Sequence, residues 1–285
     1  MAAYTTIDDP EKYFQAVLWT GDGNNPRTIT LGGDTDLQPD LLWYKCRSHA
    51  VPGILYDSVR GFGNDKELTT IDYSQEGAQS SDTDGFISAV TSDGFTLAIG
   101  SSGDHYTNEG SRTFVAWCWK AGTTGSGTTT GSGTGKSYTY SVNTTAGISI
   151  MAYTGNGTAN HTIPHHLGVV PKWFMVKIRS GDNNNWGVYH HRSNASPEQY
   201  ALYLDGTSPA TDDIFMNDVA PTSSVINLSG GNYGNVDGNT YIAFCFAEKQ
   251  GFSKFGKYTG TGTTDGQFIY LGFRPAWFMC KNYQD

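Results

Sequence analysis

Short apolar runs recur along this chain, separated by turns rich in Gly, Asn and Asp. Several alternate at period two, the signature of a strand with one face on a core. In the stretch Leu41-Leu42-Trp43-Tyr44-Lys45-Cys46, one face carries Leu42, Tyr44 and Cys46; in residues 173–179, one face carries Phe174, Val176 and Ile178. The opposite face of 173–179 starts with Trp173 and Met175 and continues with Lys177 and Arg179, so it is expected to pass from covered to wet, with the lysine leaving the strand into solvent. Two further runs, Thr113-Phe114-Val115-Ala116-Trp117-Cys118-Trp119 and Thr240-Tyr241-Ile242-Ala243-Phe244-Cys245-Phe246, are apolar at both parities and must be covered on both faces. No long segment shows a 3.6-residue period. The pattern predicts an all-β protein of tandem, jelly-roll-like β-sandwich domains.

The runs are repeated. Pro39-Asp40-Leu41-Leu42-Trp43-Tyr44-Lys45 returns as Pro171-Lys172-Trp173-Phe174-Met175-Val176-Lys177 and as Pro275-Ala276-Trp277-Phe278-Met279-Cys280-Lys281. Each copy is headed by an aromatic followed by Thr-Gly-x-Gly: Trp19-Thr20-Gly21-Asp22-Gly23, Tyr153-Thr154-Gly155-Asn156-Gly157 and Tyr258-Thr259-Gly260-Thr261-Gly262. The layout is a lead-in over residues 1–15, a first sandwich over 16–120, a Gly/Ser/Thr linker over 121–137, a second sandwich over 138–249 and an incomplete third copy over 250–285. The linker holds no apolar side chain large enough to join a core and reads as a flexible linker or exposed loop. Because the second junction is short and contains Phe252, copies two and three are expected to be held together more rigidly than copies one and two. Copy three lacks the closing strand of the other two; either its strands complete another copy or another chain, or the sequence is part of a longer one.

Composition narrows the function. A net charge of −9, with no cluster of Lys and Arg, excludes nucleic-acid binding through phosphates and disfavours an anionic membrane surface. No run approaches the roughly 18 apolar residues that insert into a bilayer, and residues 1–9 lack the basic and apolar regions of a signal peptide. The four cysteines lie far apart without CxxC spacing, and Cys118 and Cys245 occupy matching positions inside apolar strands, so they read as buried free thiols.

Several phrases together resemble a known family: Tyr13-Phe14-Gln15-Ala16-Val17-Leu18-Trp19-Thr20-Gly21-Asp22-Gly23, Ser92-Asp93-Gly94-Phe95-Thr96-Leu97, Ala116-Trp117-Cys118-Trp119-Lys120-Ala121-Gly122 and Gly251-Phe252-Ser253-Lys254-Phe255-Gly256. From about residue 12 onwards the chain is similar to a repeated domain of unknown function in tail-fibre-like virion proteins of marine tailed bacteriophages. The resemblance implies a virion location, other virion proteins as partners and no catalytic role, and it brings no binding residues. Self-association is expected from the unfinished third copy, with a trimer as the common symmetry of fibres.

The candidate chemistry is sparse. Neither the pair His165-His166 nor His190-His191 is a ready chelate, since neighbours on a strand point to opposite faces, and all four read as solvated loop residues. Asp34-Thr35-Asp36 and Asp82-Thr83-Asp84-Gly85 lack the spacing of a calcium loop. No cofactor or metal site is expected. Glycosidase chemistry needs two carboxylates across a cleft, for which Glu67, Glu76, Glu109 and Glu198 are available. The binding reading rests on loops that combine amides with an aromatic, namely Asn183, Asn185 and Trp186, and Asn232 and Tyr233. Such groups suit a host-surface glycan, with rings covering C–H patches and amides bonding hydroxyls. A purely architectural capsid or tail decoration and a polysaccharide-degrading spike are the rival readings.

Overall fold

In the computed structural model of the protein, residues 4–78, 81–212, 214–231 and 233–284 are described. The first repeat forms β1 (Phe14–Thr20), β2 (Arg27–Thr30), β3 (Leu41–Cys46), β4 (Ile54–Asp57), β5 (Leu68–Thr69), a single helical turn α1 (Ser81–Asp84), β6 (Phe86–Thr91), β7 (Gly94–Ala98) and β8 (Thr113–Trp119). The second forms β9 (Thr123–Thr128), β10 (Thr130–Gly131), β11 (Ser137–Asn143), β12 (Ile148–Thr154), β13 (His161–Pro164), β14 (Trp173–Ser180), β15 (Gly187–His190), β16 (Tyr200–Tyr203), β17 (Thr211–Asp212), β18 (Val225–Leu228) and β19 (Thr240–Phe246). All the strand pairs are antiparallel.

Each repeat is a β-sandwich. The first packs the five-stranded sheet β1-β8-β3-β4-β5 on the three-stranded sheet β2-β7-β6; the second packs an eight-stranded sheet, β17-β16-β15-β14-β19-β12-β11-β9, on β10-β13-β18. Within the large sheet, β12-β19-β14-β15-β16 reproduces the order β1-β8-β3-β4-β5, so the sequence repeat is a repeat of topology. The period-two faces fall as expected. Leu42, Tyr44, Cys46, Phe114 and Cys118 fill the first core, while Phe174, Val176, Ile178, Tyr241 and Cys245 fill the second. Cys118 and Cys245 are buried free thiols whose ionisation burial pushes far up.

A third core lies between the two sandwiches. The outward faces of the two large sheets meet, with Leu41, Leu55, Leu68 and Trp119 of the first against Ile148, Ile150, Trp173, Met175, Ile242 and Phe244 of the second. This is why β8 and β19 are apolar at both parities: one face meets their own sandwich, the other meets the neighbouring one. Three tryptophans lie within this seam (Trp119, Trp173, Trp186) and three pack against it (Trp43, Trp117, Trp277), so it holds all but Trp19 of the seven. Copies one and two form one continuously packed body.

Two expectations are overturned. Residues 121–137 are no flexible linker, because Thr123–Thr128 forms an edge strand on β11. Its glycines serve the pairing: Gly125 lies opposite Tyr140 and Gly127 opposite Tyr138, and a Cβ on either would come within 2.5–2.8 Å of those rings. Absence of a side chain lets an aromatic on the neighbouring strand cover the backbone, so a Gly/Ser/Thr run becomes a strand. The expected order of rigidity is also reversed. Copies one and two share a core, whereas residues 254–284 form no strand among the described residues and leave Phe268 (85% exposed) and Phe278 (77% exposed) in solvent. Trp277, which packs against Trp43 and Trp119, and Tyr283 tie this segment to the seam.

Candidate functional site

The repeated Thr-Gly-x-Gly phrase closes a clasp at one end of each sandwich. In the first, the Asp22 N–H donates to Asn108 Oδ1, Asn108 Nδ2 donates to Asp22 Oδ1 and Asn24 O, and the Gly23 N–H donates to Asn108 O. In the second, Asn235 makes the same four bonds with Asn156, Thr158 and Gly157. Glycine is required because the loop backbone lies directly on it: a Cβ at Gly21 would stand 2.0 Å from Glu109 O, and one at Gly155 2.3 Å from Val236 O. Trp19 Nε1 donates to Thr107 O and Tyr153 Oη to Gly234 O, so the leading aromatic anchors the same loop in both copies. The phrase is thus structural.

The seam carries buried charge. Arg60 pairs with Asp57 at 2.5 Å and with Glu76 at 3.6 Å, and Glu76 in turn receives Arg179 from the second sandwich. Gln75 Nε2 donates to Gly181 O alongside. Lys177, expected to emerge into solvent, is fully buried. Its ammonium donates to Asn184 O at 2.5 Å and lies 5.9 Å from the Trp186 ring. Burial lowers its pKa to about 8, against the opposing pull of Asp205 and Asp72. The first sandwich covers the face that would otherwise be wet, whereas its counterpart Lys45 is exposed and caps Val51 O. Glu76 is therefore committed to ion pairs, and Glu67 is buried.

The predicted glycan-binding residues do not form one site. Trp186 is 0% exposed and its indole N–H donates to Thr69 O across the seam at 2.7 Å, which makes it a core residue that no sugar can reach. Asn183 is exposed, and Asn185 is half-buried with its N–H on Asn184 Oδ1. Tyr233 packs on Tyr203 at 5.4 Å, and Asn232 lies outside the described residues. The histidine pairs are not all solvated either. His165 is buried, bonded to Thr222 O; His166 stacks on Tyr140 at 3.8 Å; burial lowers His190 to about 4. Among the described residues no group of three or more His, Cys, Asp or Glu side chains is placed to hold a metal ion.

A cavity of about 240 Å³ opens at the loop end of the first sandwich, lined by His49, Val51, Asp84, His105, Tyr106 and Arg112. The β3–β4 loop supplies His49 and Val51, α1 supplies Asp84, and the β7–β8 loop supplies the rest. Arg112 Nε is fixed on Glu109 Oε2 at 2.7 Å, and the same carboxylate meets His105 Nδ1. Arg112 Nη1 is buried without a hydrogen-bond partner. Tyr106 is held by its N–H on Asp84 O at 2.9 Å, and burial raises its phenol pKa. Counting from the clasp asparagines, Tyr106 corresponds to Tyr233 and His105 to Asn232. The repeat therefore relates this cavity to the second sandwich's loop end, where the amides were expected to act. The signal sequence reading missed is Arg112, whose counterpart across the repeat is Asn239.

Two β-sandwiches fused through a tryptophan-lined seam make this an all-β double module. The chain matches, over residues 9–285, a family model described as a domain of unknown function (DUF7483), and it belongs to that family. No curated protein and no solved structure matches it.

Proposed function

We propose that the protein is a non-enzymatic structural subunit of a phage particle, a tail-fibre or appendage module that holds its loop ends toward a host surface. The observation that carries this reading is the seam. A shared aromatic core crossed by the Glu76–Arg179 pair suits a part that must transmit position without bending. The phrase-level resemblance to phage virion domains supplies the biological setting. Mass spectrometry of purified particles from the encoding phage tests it, with peptides of this chain expected at a stoichiometry matching a structural protein. Their absence from particles, with the chain present in the lysate of infected cells, refutes the reading.

A further inference from the structure

We infer that the cavity at the loop end of the first sandwich is a binding site for one neutral sugar ring, recognised through adjacent hydroxyls. This gives a ligand class to the display role proposed above and rests on that role for its biological setting. Three observations carry it. First, the lining mixes opposite hydrogen-bonding characters, with the Asp84 carboxylate as acceptor, and Arg112 and two imidazoles able to donate. Each sugar hydroxyl both donates and accepts, so an adjacent pair satisfies such a lining. A phosphate or carboxylate would face the Asp84 carboxylate, and a cation would face Arg112.

Second, Arg112 has a donor to spare. Its Nε is fixed by Glu109 at 2.7 Å, which sets the guanidinium at the cavity wall, and Nη1 has no hydrogen-bond partner within the protein. Third, the cavity has an apolar side, Tyr106 and Val51, on which the C–H face of a pyranose can lie. Its volume of about 240 Å³ falls below the roughly 300–1,000 Å³ typical of drug-sized ligands, which fits one ring rather than a chain. The walls are pre-set: Lys45 Nζ holds Val51 O at 2.7 Å, Tyr106 N–H holds Asp84 O, and the Asn108 clasp holds the loop that follows Tyr106.

Ligand-observed saturation-transfer NMR on the full chain tests this with methyl hexopyranosides of gluco, galacto and manno configuration, and with glucuronate and inorganic phosphate as charged probes. At least one neutral pyranoside is expected to bind, with Kd on the order of 1 mM. Asp84→Asn and, separately, His49→Ala are expected to weaken it about tenfold, equal to about 1.4 kcal/mol, with an unchanged near-ultraviolet circular dichroism spectrum. Arg112→Lys, which keeps the charge but loses the fork, is expected to weaken it as well. Binding by Asp84→Asn and by His49→Ala as tight as the parent's overturns the assignment, as does preference for glucuronate or phosphate, or absence of transfer to every neutral sugar. Such a failure with the chain present in particles leaves the structural role standing; sugar binding with the chain absent from particles removes that role and keeps the site.

Discussion

Replacing Trp186 by alanine tests whether the two sandwiches form one folding unit. The side chain belongs to the second sandwich, is fully buried, and donates its indole N–H to the buried carbonyl of Thr69 in the first. Its ring also packs near Phe244, at 6.3 Å, and under the Lys177 ammonium. Removing a buried tryptophan ring costs about 3–5 kcal/mol. At roughly 2 °C per kcal/mol for a chain of this length, the melting temperature should fall by roughly 6–10 °C. Trp186→Phe keeps most of the apolar burial but strands the Thr69 carbonyl, at a cost of about 1–3 kcal/mol. Differential scanning calorimetry should show one cooperative transition in the parent protein, moving as a whole in both variants. Two transitions, of which only one moves, would refute the shared core.

Three further outcomes are expected. Gly125→Ala places a Cβ 2.5 Å from the Tyr140 hydroxyl and should lower stability by about 1–3 kcal/mol in urea denaturation; no change would mean that residues 123–128 do not form the edge strand. Asn108→Ala and Asn235→Ala each remove the side-chain bonds of one clasp and should cost similar amounts, about 1–3 kcal/mol, with a gross difference between them counting against their equivalence. The lysine in the seam gives a pH signature. Its folded pKa is lowered to about 8 while the unfolded chain keeps about 10.4, so between these values the unfolded state binds more protons and stability rises with pH. Thermal melts from about pH 8 to 9.5, below the tyrosine range near 10, should climb in the parent and flatten in Lys177→Met; identical slopes would place the ammonium in solvent.

The strand faces were legible because alternation is local. Phe174, Val176 and Ile178 had to face one way whatever the tertiary arrangement, and the same holds for Leu42, Tyr44 and Cys46. Double-sided apolarity in β8 and β19 announced two covers but not what the second cover was. Lys177 was misjudged for that reason: besides Asn184 and Trp186 its surroundings include Asp72 of the first sandwich, about a hundred positions away, which no window around residue 177 contains. The Gly/Ser/Thr stretch misled differently, since glycine lacks a strand signal of its own and acquires one here from Tyr138 and Tyr140 on the adjacent strand. Trp186 carried the chemistry of a sugar platform, and only burial against Thr69 decided otherwise.

By itself, the sequence determined the all-β class, the repeated unit, the inward-facing residues of each sandwich and the buried free thiols, because these follow from period, turn chemistry and comparison of one copy with another. The tertiary structure alone decided that the two sandwiches share a third core, that a charged lysine lies inside it, and that Asp84, Tyr106 and Arg112 converge on one cavity. Those results depend on contacts between segments far apart in the chain, and such contacts are set by how whole sheets pack rather than by any local pattern.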